Sequence, residues 1–197
     1  MDKFLSWNMY SIHLTNKLKS HHMKNVLKGV LFLALGGMII CSCSSDNGGG
    51  GSALGGSFTA NGTTYNLDKG FIVDEGGEYD IILTSSGISP VPDEGDEFTG
   101  TGDAVSIIVI STSATSFEPG SFTFDASGNK VPGTIEDASA LINIDFDTET
   151  VDTDLEGTGG AATVTLDGDT YTITFNITTS SGSIEGNFTG MLTELED

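Results

Sequence analysis

From residue 56 onward, apolar and polar side chains alternate with a period of two, the spacing that places successive residues on opposite faces of a β-strand. The clearest case is "ATVTLDGDTYTITFNITTSSGSIEGNFTGML", Ala162 to Leu192. A turn at Gly168-Asp169 sets Leu166 opposite Tyr171 and Val164 opposite Ile173. Moving it to Asp167-Gly168 pairs Leu166 with Asp169, so the apolar pattern selects the former register. Tyr171, Ile173, Phe175 and Ile177 then share one face, which a third strand continues with Ile184, Phe188 and Leu192. Earlier, "GSFTANGTTYNL" carries Asn61-Gly62, a strong two-residue hairpin signal. That turn sets Ala60 opposite Thr63 and Phe58 opposite Tyr65. "EYDIILTSS" (Glu78 to Ser86) and "AVSIIVISTS" (Ala104 to Ser113) are isoleucine-rich runs of strand length, and "GSFTFD" and "ALINIDFD" alternate. The pattern predicts an all-β domain over residues 56–197, an antiparallel β-sandwich or barrel of about 8–10 strands.

The N-terminal part breaks this rhythm. "GVLFLALGGMII", Gly29 to Ile40, carries no charge and is twelve residues long. A membrane-spanning helix needs about 20 apolar residues, so this length suits the apolar region of a secretion signal instead. "MKNVLK", Met23 to Lys28, provides a start methionine and a positive flank. Residues 23–42 therefore read as a signal peptide, and residues 1–22 as an extension preceding the true start.

Two cysteines, Cys41 and Cys43, close that segment. A metal pair would need further soft ligands, and a disulfide between them would close a small strained ring. A lipoprotein signal ends at a cysteine preceded by a small residue. Ser42 meets that requirement before Cys43, whereas bulky Ile40 precedes Cys41. Cys43 is the predicted lipidation site, bearing palmitate-type acyl chains. One chain holds reversibly and additional chains make an anchor stable. "SSDNGGGGSALGG" follows as a flexible linker, residues 43–55 together forming anchor and tether.

Charge sharpens this division. Five of the seven basic residues (Lys3, Lys17, Lys19, Lys24, Lys28) precede residue 29, as do all three histidines. Of the 28 acidic residues only Asp2 precedes Cys43, and beyond it Lys69 and Lys130 are the only cations. Such a surface repels nucleic-acid phosphates. Without histidine, a mature chain starting at Cys43 has no imidazole for zinc or for a Ser-His-Asp triad. Carboxylate and hydroxyl chemistry remains.

Two acidic stretches carry that remainder. In "DFDTETVDTDLEG", residues Asp152, Asp154, Glu156 and Gly157 match positions 1, 3, 5 and 6 of a calcium loop, making the first three candidate ligands. Position 12 should be Glu and is Thr163. The simpler reading is a solvated loop between strands. "VPDEGDEFTGTGD", with Asp93, Glu94, Asp96, Glu97 and Asp103, reads as a second acidic connection. A carboxylate-pair hydrolase needs two carboxyls at a defined separation in a partly apolar pocket. Both stretches gather their carboxyls in loops, and the only tryptophan, Trp7, lies before Cys43. No catalytic residue is assigned.

A Ser-Cys junction followed by Ser-Ser-Asp-Asn and glycines, with "FEPGSFTF", "ALINIDF" and the Thr-rich C-terminal stretch, resembles small β-rich envelope lipoproteins of the Bacteroidota. The resemblance implies an outer-membrane lipoprotein, periplasmic or surface-exposed, without an enzymatic site to transfer. The expected function is a non-enzymatic binding or structural module anchored to the membrane by its lipid, with no cofactor and with a protein or glycan partner left open. The alternatives are a calcium-dependent adhesion or glycan-binding domain and, last, a carboxylate hydrolase.

Overall fold

The computed structural model describes residues 54–92 and 96–195. The extension, the signal segment, Cys43 and most of the linker lie outside them, as do Asp93 and Glu94. The all-β expectation is borne out: among the described residues there are twelve strands and no helix. They are β1 (Gly55–Ala60), β2 (Thr63–Leu67), β3 (Lys69–Asp74), β4 (Glu78–Thr84), β5 (Ile88–Pro90) and β6 (Phe98–Ile110). Then follow β7 (Ser121–Phe124), β8 (Thr134–Asp145), β9 (Thr153–Asp167), β10 (Thr170–Thr179), β11 (Gly182–Gly190) and β12 (Leu192–Leu195). The strands outnumber the expected 8–10 because short pieces (β5, β7, β12) carry no alternation long enough to recognise.

Eleven strands form one curled mixed sheet, a half-barrel, in the order β12-β3-β4-β6-β8-β7-β9-β10-β11-β1-β2, and β5 pairs onto β6. The curl follows from two one-residue corners. β2 passes into β3 through Asp68, and β11 passes into β12 through Met191. Both corners carry the chain from one end of the strand order to the other.

The two parallel pairings, β12 with β3 and β7 with β8, have the same kind of origin. β2 and β11 are each antiparallel to β1, so they run the same way, and their continuations β3 and β12 emerge parallel. β7 and β8 are likewise both antiparallel to β9.

The sequence registers hold. Phe58 faces Tyr65 with ring centroids 5.0 Å apart, Leu166 faces Tyr171, and Val164 faces Ile173. The inner face buries Phe58, Ile173, Ile177, Ile184 and Phe188 from one half of the sheet against Ile81, Leu83, Val105, Ile107 and Ile135 from the other. Leu192 leaves the β11 ladder and pairs with Gly70 of β3. A side chain at Gly70 would collide with Phe188 and Leu192, its Cβ only 2.6 Å from Leu192 Cδ2, so glycine is what lets this corner close.

The outer face of β3, β4, β6 and β8 is not left to solvent. β5 and the start of β6 fold back over it and build a second cluster of Phe71, Ile88, Phe98, Ala104 and Ile144. Phe71 and Phe98 meet edge to face at 5.3 Å. Lys69 Nζ pins β5 in place by donating to Ile88 O at 2.6 Å and Ser89 Oγ at 2.9 Å.

Candidate functional site

The strongest electrostatic anomaly lies on this covered outer face. In "EYDIIL", Tyr79 and Ile81 point inward, which sends Asp80 outward beside Val73 of β3 and Ile108 of β6. Asp80 is half-buried there. Ser106 Oγ donates to it at 2.7 Å. Burial pushes the Asp80 carboxyl up to about 7; Ser106 opposes the shift, and the charges of Glu75, Asp137 and Asp96 add to it. Asp137 stands in the same row, across Ile108, and its carboxyl is also raised, chiefly by burial. The two α-carbons are two strand spacings apart, roughly 10 Å.

A second group adjoins the first. A β-bulge in β8 opposite Ile108 and Val109 leaves Glu136 as the extra residue. Lys130, from the β7–β8 connection, pairs with Glu78 of β4 and lies 3.8 Å from Glu136 Oε2, beyond hydrogen-bond reach. The Glu136 carboxyl is raised by burial and by neighbouring Glu78, which together outweigh the Lys130 charge.

Two carboxyls of raised pKa are the raw material of acid–base catalysis. Chemistry would also require an opening to substrate. Neither of two surface depressions touches Asp80 or Asp137. One, of about 310 Å³, lies between the hairpin tips and is lined by Thr59, Asn61, Gly62, Ser181, Gly182, Ser183 and Glu185. The other, of about 440 Å³, is lined by Leu54, Thr165, Leu166, Asp167, Thr170, Thr172 and Thr189. The hollows are lined mainly by hydroxyl-bearing side chains, with Asn61 and Glu185 in the first and Leu54, Leu166 and Asp167 in the second.

The fold places the calcium candidates along an extended segment. A cation loop turns sharply at its glycine, whereas Thr153–Gly157 is extended β9. Asp154 pairs with Leu141 and Glu156 with Ser139, so both project from one face of a strand about 6.6 Å apart. Asp152 precedes the strand and accepts from Asn143 Nδ2 at 3.1 Å. Among the described residues, no three carboxylates converge in a way that could hold a metal ion.

The acidic stretches do come together, as acceptors for backbone and hydroxyl donors. Thr99 Oγ1 donates to Asp147 at 2.6 Å, and Asn143 N donates to Asp103 at 3.0 Å. The Thr148 hydroxyl, then the Thr148 amide and the Asp147 amide, hold the Asp145 carboxyl below the usual range. Within the second stretch, Phe98–Asp103 is already strand β6.

Sequence reasoning passed over Asp80, Ser106, Asp137 and the Glu78–Lys130–Glu136 group. Their alternation marks them as facing away from the core, and period-two reasoning equates that with solvent. The segment "GISPV", short and apolar between two strands, was the sequence's sign that part of this outer face is covered. No protein family, curated protein or solved structure matches the chain.

Proposed function

We propose that this chain is a lipid-anchored envelope protein whose β-domain is a non-enzymatic binding or structural module, of the kind seen in small β-rich lipoproteins of the Bacteroidota. The observation that carries the reading is the segment from Met23 to Cys43: a basic start, an uncharged run too short to span a bilayer, and a small residue before cysteine. The domain is consistent with it in having two apolar clusters among its described residues, between Phe58 and Leu195.

The test is metabolic labelling with palmitate in an envelope-bearing bacterial host. The chain should label and fractionate with membranes, and Cys43→Ala should do neither. A Cys43→Ala protein that still labels would overturn the anchor assignment.

A glycan-binding role is favoured by the hollow between the hairpin tips, where Thr59, Asn61, Ser183 and Glu185 offer hydroxyl, amide and carboxylate groups to a polyhydroxylated ligand. Glycan-array binding that disappears with Asn61→Ala and Glu185→Ala would establish it. An array with no binder would leave the structural module.

A further inference from the structure

We infer that one edge of the domain, marked by Leu54, Leu166 and Met191, rests on the phospholipid surface and orients the domain on its anchor. The inference deepens the proposed function and rests on the reading of Cys43 as the lipid site. Large apolar side chains exposed singly need no explanation, but grouped ones mark contact surfaces. Five are exposed among the described residues: Leu54 at 77%, Met191 at 66%, Leu166 at 45%, Val131 at 43% and Val151 at 40%.

Three of the five gather in one place. Leu54 and Leu166 line the same hollow. Gly55 is in register with Thr189, Tyr171 with Gly190 and Leu166 with Tyr171, so Leu54 and Leu166 fall in the row of Gly190, and Met191 is the next residue along the chain. Val151, by contrast, precedes β9, at the opposite end of the strand from Leu166.

The occupant is argued from where the chain enters. Leu54 is the first described residue, and only Ser44–Ala53 separate it from Cys43. A Gly/Ser tether of that length spans roughly 16–19 Å on average, so this edge is the part of the domain kept nearest the bilayer. The neighbouring hydroxyls of Thr165, Thr170, Thr172 and Thr189 suit the headgroup layer, into which apolar side chains on a polar surface partition. Asp167 lines the same hollow and Asp169 follows in the β9–β10 turn, which favours zwitterionic over anionic lipid.

The chain from Cys43 onward contains no tryptophan, so single reporters can be placed without background. Residues 43–197 carrying Leu166→Trp, Met191→Trp or Val151→Trp would be coupled through Cys43 to maleimide-phosphatidylethanolamine in phosphatidylcholine vesicles containing brominated lipid. Both apolar clusters of the described residues lie within this stretch. Quenching at positions 166 and 191 should exceed that at 151 by at least twofold. Equal quenching at all three positions overturns the inference. So does a blue shift at 166 and 191 that grows with protein concentration without vesicles, because the occupant is then a second copy of the chain. The thiol coupling supplies an anchor whatever happens in cells. Failure here therefore counts against the orientation, and failure of palmitate labelling counts against the anchor.

Discussion

At the scale of single residues, buried polar groups on the covered outer face set the pH behaviour. The Asp80 carboxyl lies above its ordinary value when folded, so the folded state holds a proton that the unfolded state releases. Its contribution is greatest below the unfolded value and is lost as pH rises from about 4 to about 7. Glu136 and Asp137 shift in the same direction, so thermal stability should fall between pH 5 and pH 8. Asp80→Asn keeps an acceptor for Ser106 and removes the charge. It should stabilise the domain at pH 8 by roughly 2–4 kcal/mol and flatten the profile, as read by urea unfolding at the two pH values. Asp74, Asp125 and Asp145 act oppositely: hydrogen bonds lower their pKa, so their contribution disappears on acidification. Thr84 is fully buried and its Oγ1 has no hydrogen-bond partner. Thr84→Val, of the same shape, should gain about 1 kcal/mol in the same assay.

At the scale of elements, β5 is the piece whose placement local sequence does least to specify. It is three residues long, pairs only with β6, and contains Pro90, which cannot donate to a ladder. Its position depends on Ile88 entering the second cluster and on the two hydrogen bonds from Lys69. Lys69→Met should cost about 2 kcal/mol and speed hydrogen exchange at Ile88 and Ser89, leaving the β9–β10–β11 meander protected. That meander was legible because each strand alternates over nine or more residues and each turn fixes its register. The first half of β9 was not legible: its acidic residues, Asp154 and Glu156, mimic a loop, yet Leu155 and Gly157 alternate with them and are buried.

At the scale of the whole molecule, charge dominates. The chain carries a net charge of −21, and all but one of its carboxylates follow Cys43, so the domain repels itself. Raising ionic strength from physiological to 1 M shortens the screening length from about 8 to 3 Å and should raise the melting temperature. Calcium should add nothing beyond a matched ionic-strength control, because the carboxylates of Asp152, Asp154 and Glu156 are spread along an extended segment. A calcium-specific rise in melting temperature would contradict that geometry.

The sequence by itself determined the strand class, the hairpin registers and the apolar face of each long strand, because period two and turn chemistry are local properties. It also carried the signals from which the anchor is proposed, which lie in the order of residues around Cys43. The tertiary structure alone decided that the sheet curls through the corners at Asp68 and Met191, that two of its pairings are parallel, and that the outward face of β4 is covered. Each of these depends on contacts between segments far apart in the chain. Asp80 shows the difference: alternation places it away from the core, and only the fold brings Ser106, Asp137 and Asp96 around its carboxyl.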